Sequence, residues 1–130
     1  MNSSAVVEVV RLDERAKSQL TTLKRRTGIQ NWNVLCRWAL CMSLAEASAP
    51  ANHELGPMSN VEMTWSTFGG PSADLYAAVM AARCEADGIE PTPDAMAHQF
   101  RLHLHRGITY LVGTEDTKTL SGLVSLAVRA

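Results

Sequence analysis

Residues 11–45 read RLDERAKSQLTTLKRRTGIQNWNVLCRWALCMSLA, and this run limits what the chain can fold into more than any other. A basic amphipathic helix runs to a single glycine, and a helix with almost no polar face follows at once. Leu12, Ala16, Leu20 and Leu23 recur at helical spacing, which predicts one buried stripe. At about 100° per residue, Lys17, Thr21, Lys24 and Arg25 fall opposite that stripe with Glu14 among them, and Arg15, Thr22 and Arg26 fall on one flank. Asp13 is placed to cap a helix over residues 14–27. Gly28 is placed to stop it, because glycine tolerates the left-handed conformation that ends helices. Basic residues in the last turn also suit the negative end of the helix dipole.

The next helix is expected from Asn31 or Asn33 to about Ala47. Val34, Leu35, Cys36, Trp38, Ala39, Leu40, Cys41, Met42 and Leu44 leave it almost without a polar side. A helix that is apolar all round belongs in a core or a subunit interface. In so small a chain an interface contribution is favoured, which predicts a homo-oligomer joined through the 31–47 helix. Upstream, Ala5–Arg11 (AVVEVVR) is short and β-branched and reads as a strand.

Beyond residue 47 the signals are weaker. Residues 48–71 are rich in turn dipeptides (APAN, GP, SN, GGP), with VEMTWSTF a short strand or hairpin arm within them. Ser72 can cap a third helix that Gly88 ends. Thr92-Pro93-Asp94 has the pattern of N-cap, first helical position and acidic first turn, and opens a fourth helix expected to end before Gly107, with Met96, Phe100 and Leu104 on its apolar side. Residues 108–112 continue as an apolar stretch of either type, and a weak last helix spans 114–127. A single mainly α domain over residues 1–130 is expected, with a ribbon-helix-helix-like start.

Charge is unevenly placed along the 130 residues. Residues 1–40 hold seven Lys/Arg against three acids, a net of +4, while residues 41–130 hold five against ten, a net of −5. Such asymmetry suits one face that meets a polyanion, or simply a solvated helix surface. The three cysteines, Cys36, Cys41 and Cys84, have no paired spacing, which predicts free thiols in a reducing cytoplasm. No basic region followed by an apolar run opens the chain, so no signal peptide is expected. The longest apolar stretch, Val34–Ala45, is interrupted by Arg37 and Ser43 and is too short to span a membrane.

Catalytic and metal chemistry find little support. His98 and His105 share a helix face but stand two turns apart, roughly 10 Å of rise, too far for one ion without a third element. No HExxH, CxxC, GxSxG, Walker loop or dinucleotide fingerprint occurs. Glu85, Asp87 and Glu90 straddle a helix end and read as solvated. A binding protein without a cofactor is expected, more than an enzyme.

Strand–helix–helix over about 45 residues matches the ribbon-helix-helix plan, in which two chains pair strands and insert them in the DNA major groove. Neither strand register supplies base-reading side chains: one presents Val6, Glu8 and Val10, the other Val7, Val9 and Arg11. The charges able to touch DNA lie on the following helix and suit phosphates, which position a protein without specifying sequence.

RLDERAKSQLTTLKRRTGIQNWNVLCRWALCMSLAEAS, the later TWSTFGG and HLHRGITYLVG together resemble the DndE family of the bacterial DNA phosphorothioation system, in the same order over most of the chain. TLKRRTGI, NWNVLCRWA and HLHRGI are its most specific segments. The resemblance implies a part in replacing a non-bridging phosphate oxygen of DNA with sulfur, beside a cysteine desulfurase, an ATP-using sulfurtransferase and an ATPase. It also implies a mainly helical homotetramer that binds duplex DNA, especially nicked duplex, by its backbone. Arg15, Lys17, Lys24, Arg25 and Arg26 are the candidate DNA contacts. The tail GTEDTKTLSGLVSLAV is less basic than the family pattern, which argues against a second contact near the C-terminus. A ribbon-helix-helix repressor of the modification genes, a DNA-nicking enzyme and a pure assembly scaffold are the alternatives.

Overall fold

The computed structural model describes residues 5–129. The order is β1 (Val9–Asp13), α1 (Glu14–Thr27), α2 (Trp32–Ala45), β2 (Met58–Thr64), α3 (Trp65–Gly69), α4 (Ala73–Ala86), α5 (Pro93–Gly113) and α6 (Leu120–Arg129), with short 3-10 turns at Gly70–Ser72 and Glu115–Lys118. The mainly helical class is as expected, and no helix of the described residues is long and apolar enough to cross a membrane.

α1 forms where its caps predict. Asp13 accepts the Ala16 N–H at 2.8 Å, and Gly28 sits at φ 76° with its N–H on the Lys24 carbonyl. An Asp at this position satisfies one of the helix's orphan amides and stabilises it by about 1 kcal/mol. Ala16, Leu20, Leu23 and Thr27 are buried. α5 likewise starts at the expected signal, with Thr92 accepting the Ala95 N–H at 3.2 Å.

Three expectations fail. VEMTWSTF is a strand only to Thr64, whose hydroxyl accepts the Thr67 N–H at 3.1 Å and caps the short helix α3. α5 does not end before Gly107 but runs through it to Gly113, absorbing residues 108–112. A Cβ on Gly107 would lie 1.7 Å from the Ala39 carbonyl oxygen. The glycine is therefore a point where the backbones of α2 and α5 touch, and not a stop. The first strand is also displaced, from residues 5–11 to Val9–Asp13. Its pairing sets the limits: Val9, Val10 and Arg11 lie opposite Thr64, Met63 and Glu62 of β2, antiparallel, with an irregularity before Asp13 opposite Met58. Arg11 and Glu62 form an ion pair across the two strands. The strand–helix–helix order of the ribbon-helix-helix plan is present, but β1 has its β partner within its own chain.

α2 lies at the centre and packs most extensively on α5. Leu35, Cys36, Ala39, Leu40 and Ser43 are buried, while Val34, Trp38, Met42 and Leu44 are half-covered by the same chain. Its apolar circumference is thus largely used inside the monomer, with Val34, Trp38, Met42 and Leu44 still partly exposed. An aromatic group closes one end of the core: Trp65 and Phe68 both meet Phe100 edge-on, with centroids 5.1 and 5.3 Å away. The exposed large apolar side chains lie elsewhere, chiefly Leu75 on α4 (61%) and Leu120, Val124 (53%) and Val128 (82%) on α6.

Candidate nucleic-acid interface

The five predicted contacts all sit on α1, about 21 Å long, but they do not share one face. Arg25 points straight away from the buried stripe, is exposed and has no partner among the described residues. Lys17 and Lys24 lie on one flank, half-covered. Lys17 Nζ donates to Asn60 Oδ1 of β2 at 2.8 Å, and Lys24 Nζ stands 4.0 Å from the centre of the Trp32 ring. Arg15 and Arg26 lie on the other flank. Arg15 is exposed without a partner among the described residues, whereas Arg26 donates to the Val112 carbonyl near the C-terminal end of α5 at 3.1 Å. Ser18 and Thr21 occupy the exposed ridge between the flanks.

No α1 cation forms an ion pair with a carboxylate among the described residues. Elsewhere Arg11 pairs with Glu62, Arg83 with Asp87, and Arg37 donates to the Phe68 carbonyl at 2.7 Å, while the side chain of the exposed Arg101 has no partner among the described residues. The α1 cations are therefore not tied up in ion pairs, which suits a surface that meets phosphates. Trp32 was not singled out by the sequence, although its position four residues past Gly28 brings it back beneath Lys24.

The HLHRGI segment is consumed by architecture. Ser43 Oγ and His103 Nδ1 lie 2.8 Å apart, and Arg106 Nε donates to the same Oγ at 2.8 Å. The buried His103 Nε2 has no partner among the described residues. Burial, reinforced by Arg83 and Arg106, pushes the His103 pKa down to about 4. His105 donates Nδ1–H to the Arg101 carbonyl at 2.8 Å and accepts the Asp13 N–H on Nε2 at 3.2 Å, so it is held neutral, its pKa lowered mainly by burial. Arg106 and Arg83 converge on the C-terminal end of α2: Arg106 Nη2 donates to the Ser43 carbonyl at 2.8 Å, and Arg83 donates to the Leu44 and Glu46 carbonyls at 2.9 Å each. Cations there complement the helix dipole and satisfy carbonyls that have no partner within the helix.

Other reactive groups are equally quiet. Burial pushes the Cys36 thiol up to about 12 and raises those of Cys41 and Cys84, and all three are free. On the surface, His98 donates Nε2–H to Asn52 Oδ1 at 2.7 Å. No group of three or more His, Cys, Asp or Glu among the described residues is placed to hold a metal ion.

The family model described as DNA sulphur modification protein DndE matches residues 9–119. The fold is similar to a crystal structure of a glycine-to-lysine mutant of DndE involved in DNA phosphorothioation, with a TM-score of 0.62 over 83% of this chain and 99% of that one. The two are 18% identical, so the likeness is one of fold. No protein of curated function matches the sequence.

Proposed function

The chain belongs to the DndE family of DNA sulphur modification proteins, and from this we propose that it holds duplex DNA, intact or nicked, by its phosphate backbone for the phosphorothioation machinery. The observation that carries this reading is the state of α1: a helix capped at both ends, anchored by a buried stripe, whose cations have no acidic partner among the described residues. The charges contact neutral groups or solvent, so a phosphate can replace water or an amide without first breaking an ion pair.

In this proposal the protein works in the cytoplasm as a homo-oligomer, a tetramer by the resemblance, beside the sulfurtransferase and ATPase subunits. The exposed apolar side chains of α4 and α6 favour those helices, in place of α2, as the faces that meet other subunits. Several copies of α1 in one assembly would raise a weak patch to useful avidity.

The test is a binding series on intact, nicked and single-stranded DNA at two salt concentrations. Lys17→Ala with Lys24→Ala should weaken all duplexes alike, roughly tenfold near 0.1 M salt, and reduce the slope of log affinity against log salt by about 2. Unchanged affinity removes α1 from the site. A single preferred operator would instead support the repressor, and metal-dependent strand scission the nicking enzyme.

A further inference from the structure

A cleft of about 230 Å³ opens between α1, α5 and residues 50–55. Arg15 and Gln19 of α1, His53 of the connecting segment, and Arg106 and Tyr110 of α5 line it. We propose that this cleft binds a phosphate monoester, either a free phosphate or the terminal phosphate of a DNA strand. The inference rests on the backbone-binding reading only in naming DNA as one source of that group.

The charge balance favours an oxyanion. Asp13 is the one carboxylate on the lining, and it is buried and engaged: one oxygen accepts the Ala16 N–H at 2.8 Å, and the other the Gly56 N–H at 3.2 Å. His105, also on the lining, is neutral: burial lowers its pKa, and its Nε2 accepts the Asp13 N–H. Arg15 and Arg106 therefore both line the cleft, against one carboxylate that is already satisfied. Arg106 is a fixed cation, held by Ser43 and by the Ser48 carbonyl at 2.9 Å, with its guanidinium carbon 5.6 Å from the centre of the Tyr110 ring. Arg15, at the rim, has no partner among the described residues and can close on a ligand with the planar fork that matches phosphate. The Gln19 amide oxygen accepts from the Thr109 hydroxyl at 3.4 Å, which leaves its NH2 as a further donor.

Shape selects the monoester. A cavity of about 150 Å³ holds benzene, so a phosphate group fits here with room for its first sugar atoms. A phosphate inside a continuous strand is flanked by sugars on both sides and suits the convex ridge of α1 better than a recess. A terminal phosphate protrudes, and it carries nearly two charges at neutral pH against one for a diester.

Titration of the full chain with inorganic phosphate, followed by backbone amide resonances, tests the site. The amides of Gln19, His53 and Tyr110 should shift saturably, and Arg15→Ala should abolish the shifts. Nicked duplexes with a phosphate or a hydroxyl at the strand end then distinguish the sources. A strand-end ligand gives about tenfold tighter binding of the phosphorylated nick, as one charge-assisted contact provides, and Arg15→Ala brings that ratio to one. Equal binding of the two nicks with a saturable cleft assigns the site to free phosphate. Absent shifts, or shifts that persist in Arg15→Ala, overturn the proposal. Failure of every duplex to bind while phosphate saturates the cleft would overturn the backbone reading and leave the cleft standing.

Discussion

α1 and the middle of α5 are built from similar residues and put them to opposite uses. The first ends LKRRTG and the second reads LHLHRG, each with basic side chains just before a glycine. In α1 the glycine is a stop in the left-handed region, and the cations ahead of it reach solvent, an indole ring or a distant carbonyl. In α5 the glycine lies inside the helix where a neighbouring backbone presses on it, and the basic groups ahead of it are buried or bound to the end of α2. Residue type sets which charges a segment carries. The carbonyls and backbones that the rest of the fold brings to it set whether those charges remain available to a partner.

The contrast breaks most visibly at the α5 glycine. Gly107→Ala forces a methyl group into the Ala39 carbonyl and should cost about 3 kcal/mol or more, a fall in melting temperature of roughly 10 °C, measured by thermal unfolding. A melting temperature within a degree or two of the parent would mean that α2 and α5 do not touch there.

Acid should act on α5 next. His103 is neutral in the folded chain with its pKa near 4, whereas in the unfolded chain it takes a proton near 6.5. Between those values the unfolded state binds more protons, so its contribution to stability is complete above pH 6.5 and is lost as pH falls toward 4, by roughly 3 kcal/mol in all. His105, also lowered, adds in the same direction. Urea unfolding at pH 7 and pH 4.5 should show a smaller difference for His103→Leu than for the parent chain. An identical difference in both would remove His103 as the source.

Arg106→Ala leaves the α2 carbonyls and Ser43 without their donor and should cost about 2 kcal/mol, read by the same unfolding experiment. The smallest effect on stability belongs to α1. Arg25→Ala should leave unfolding within about 0.5 kcal/mol while duplex affinity falls about threefold and the salt slope by about 0.9. A stability loss comparable to that of Arg106→Ala would show that the cations of α1 serve the fold as much as those of α5 do.

Local signals were sufficient where the cause was local. Asp13, Gly28 and Thr92 mark helix ends because their side chains or conformations act within a few residues of the chain. Gly107 misled because a basic turn followed by glycine looks the same whether the glycine stops a helix or admits Ala39 from another one. The first strand slipped because its limits depend on β2, more than forty residues later in the chain by the Arg11–Glu62 pairing. The cationic character of α1 was legible from spacing alone. The destination of each charge was not, since Asn60, Trp32 and Val112 are brought to Lys17, Lys24 and Arg26 only by folding. The cleft at Arg15 left no sequence signal, because its lining comes from three separated segments.

The ammonium of Lys24 resting on Trp32 makes the protein its own optical gauge. Under the proposed function, a phosphate that drew the ammonium off the indole would unveil the ring. The stacking given up, about 0.5–1 kcal/mol at such a wet site, would temper the grip at that end of α1, and a change in tryptophan emission would then report binding without a label.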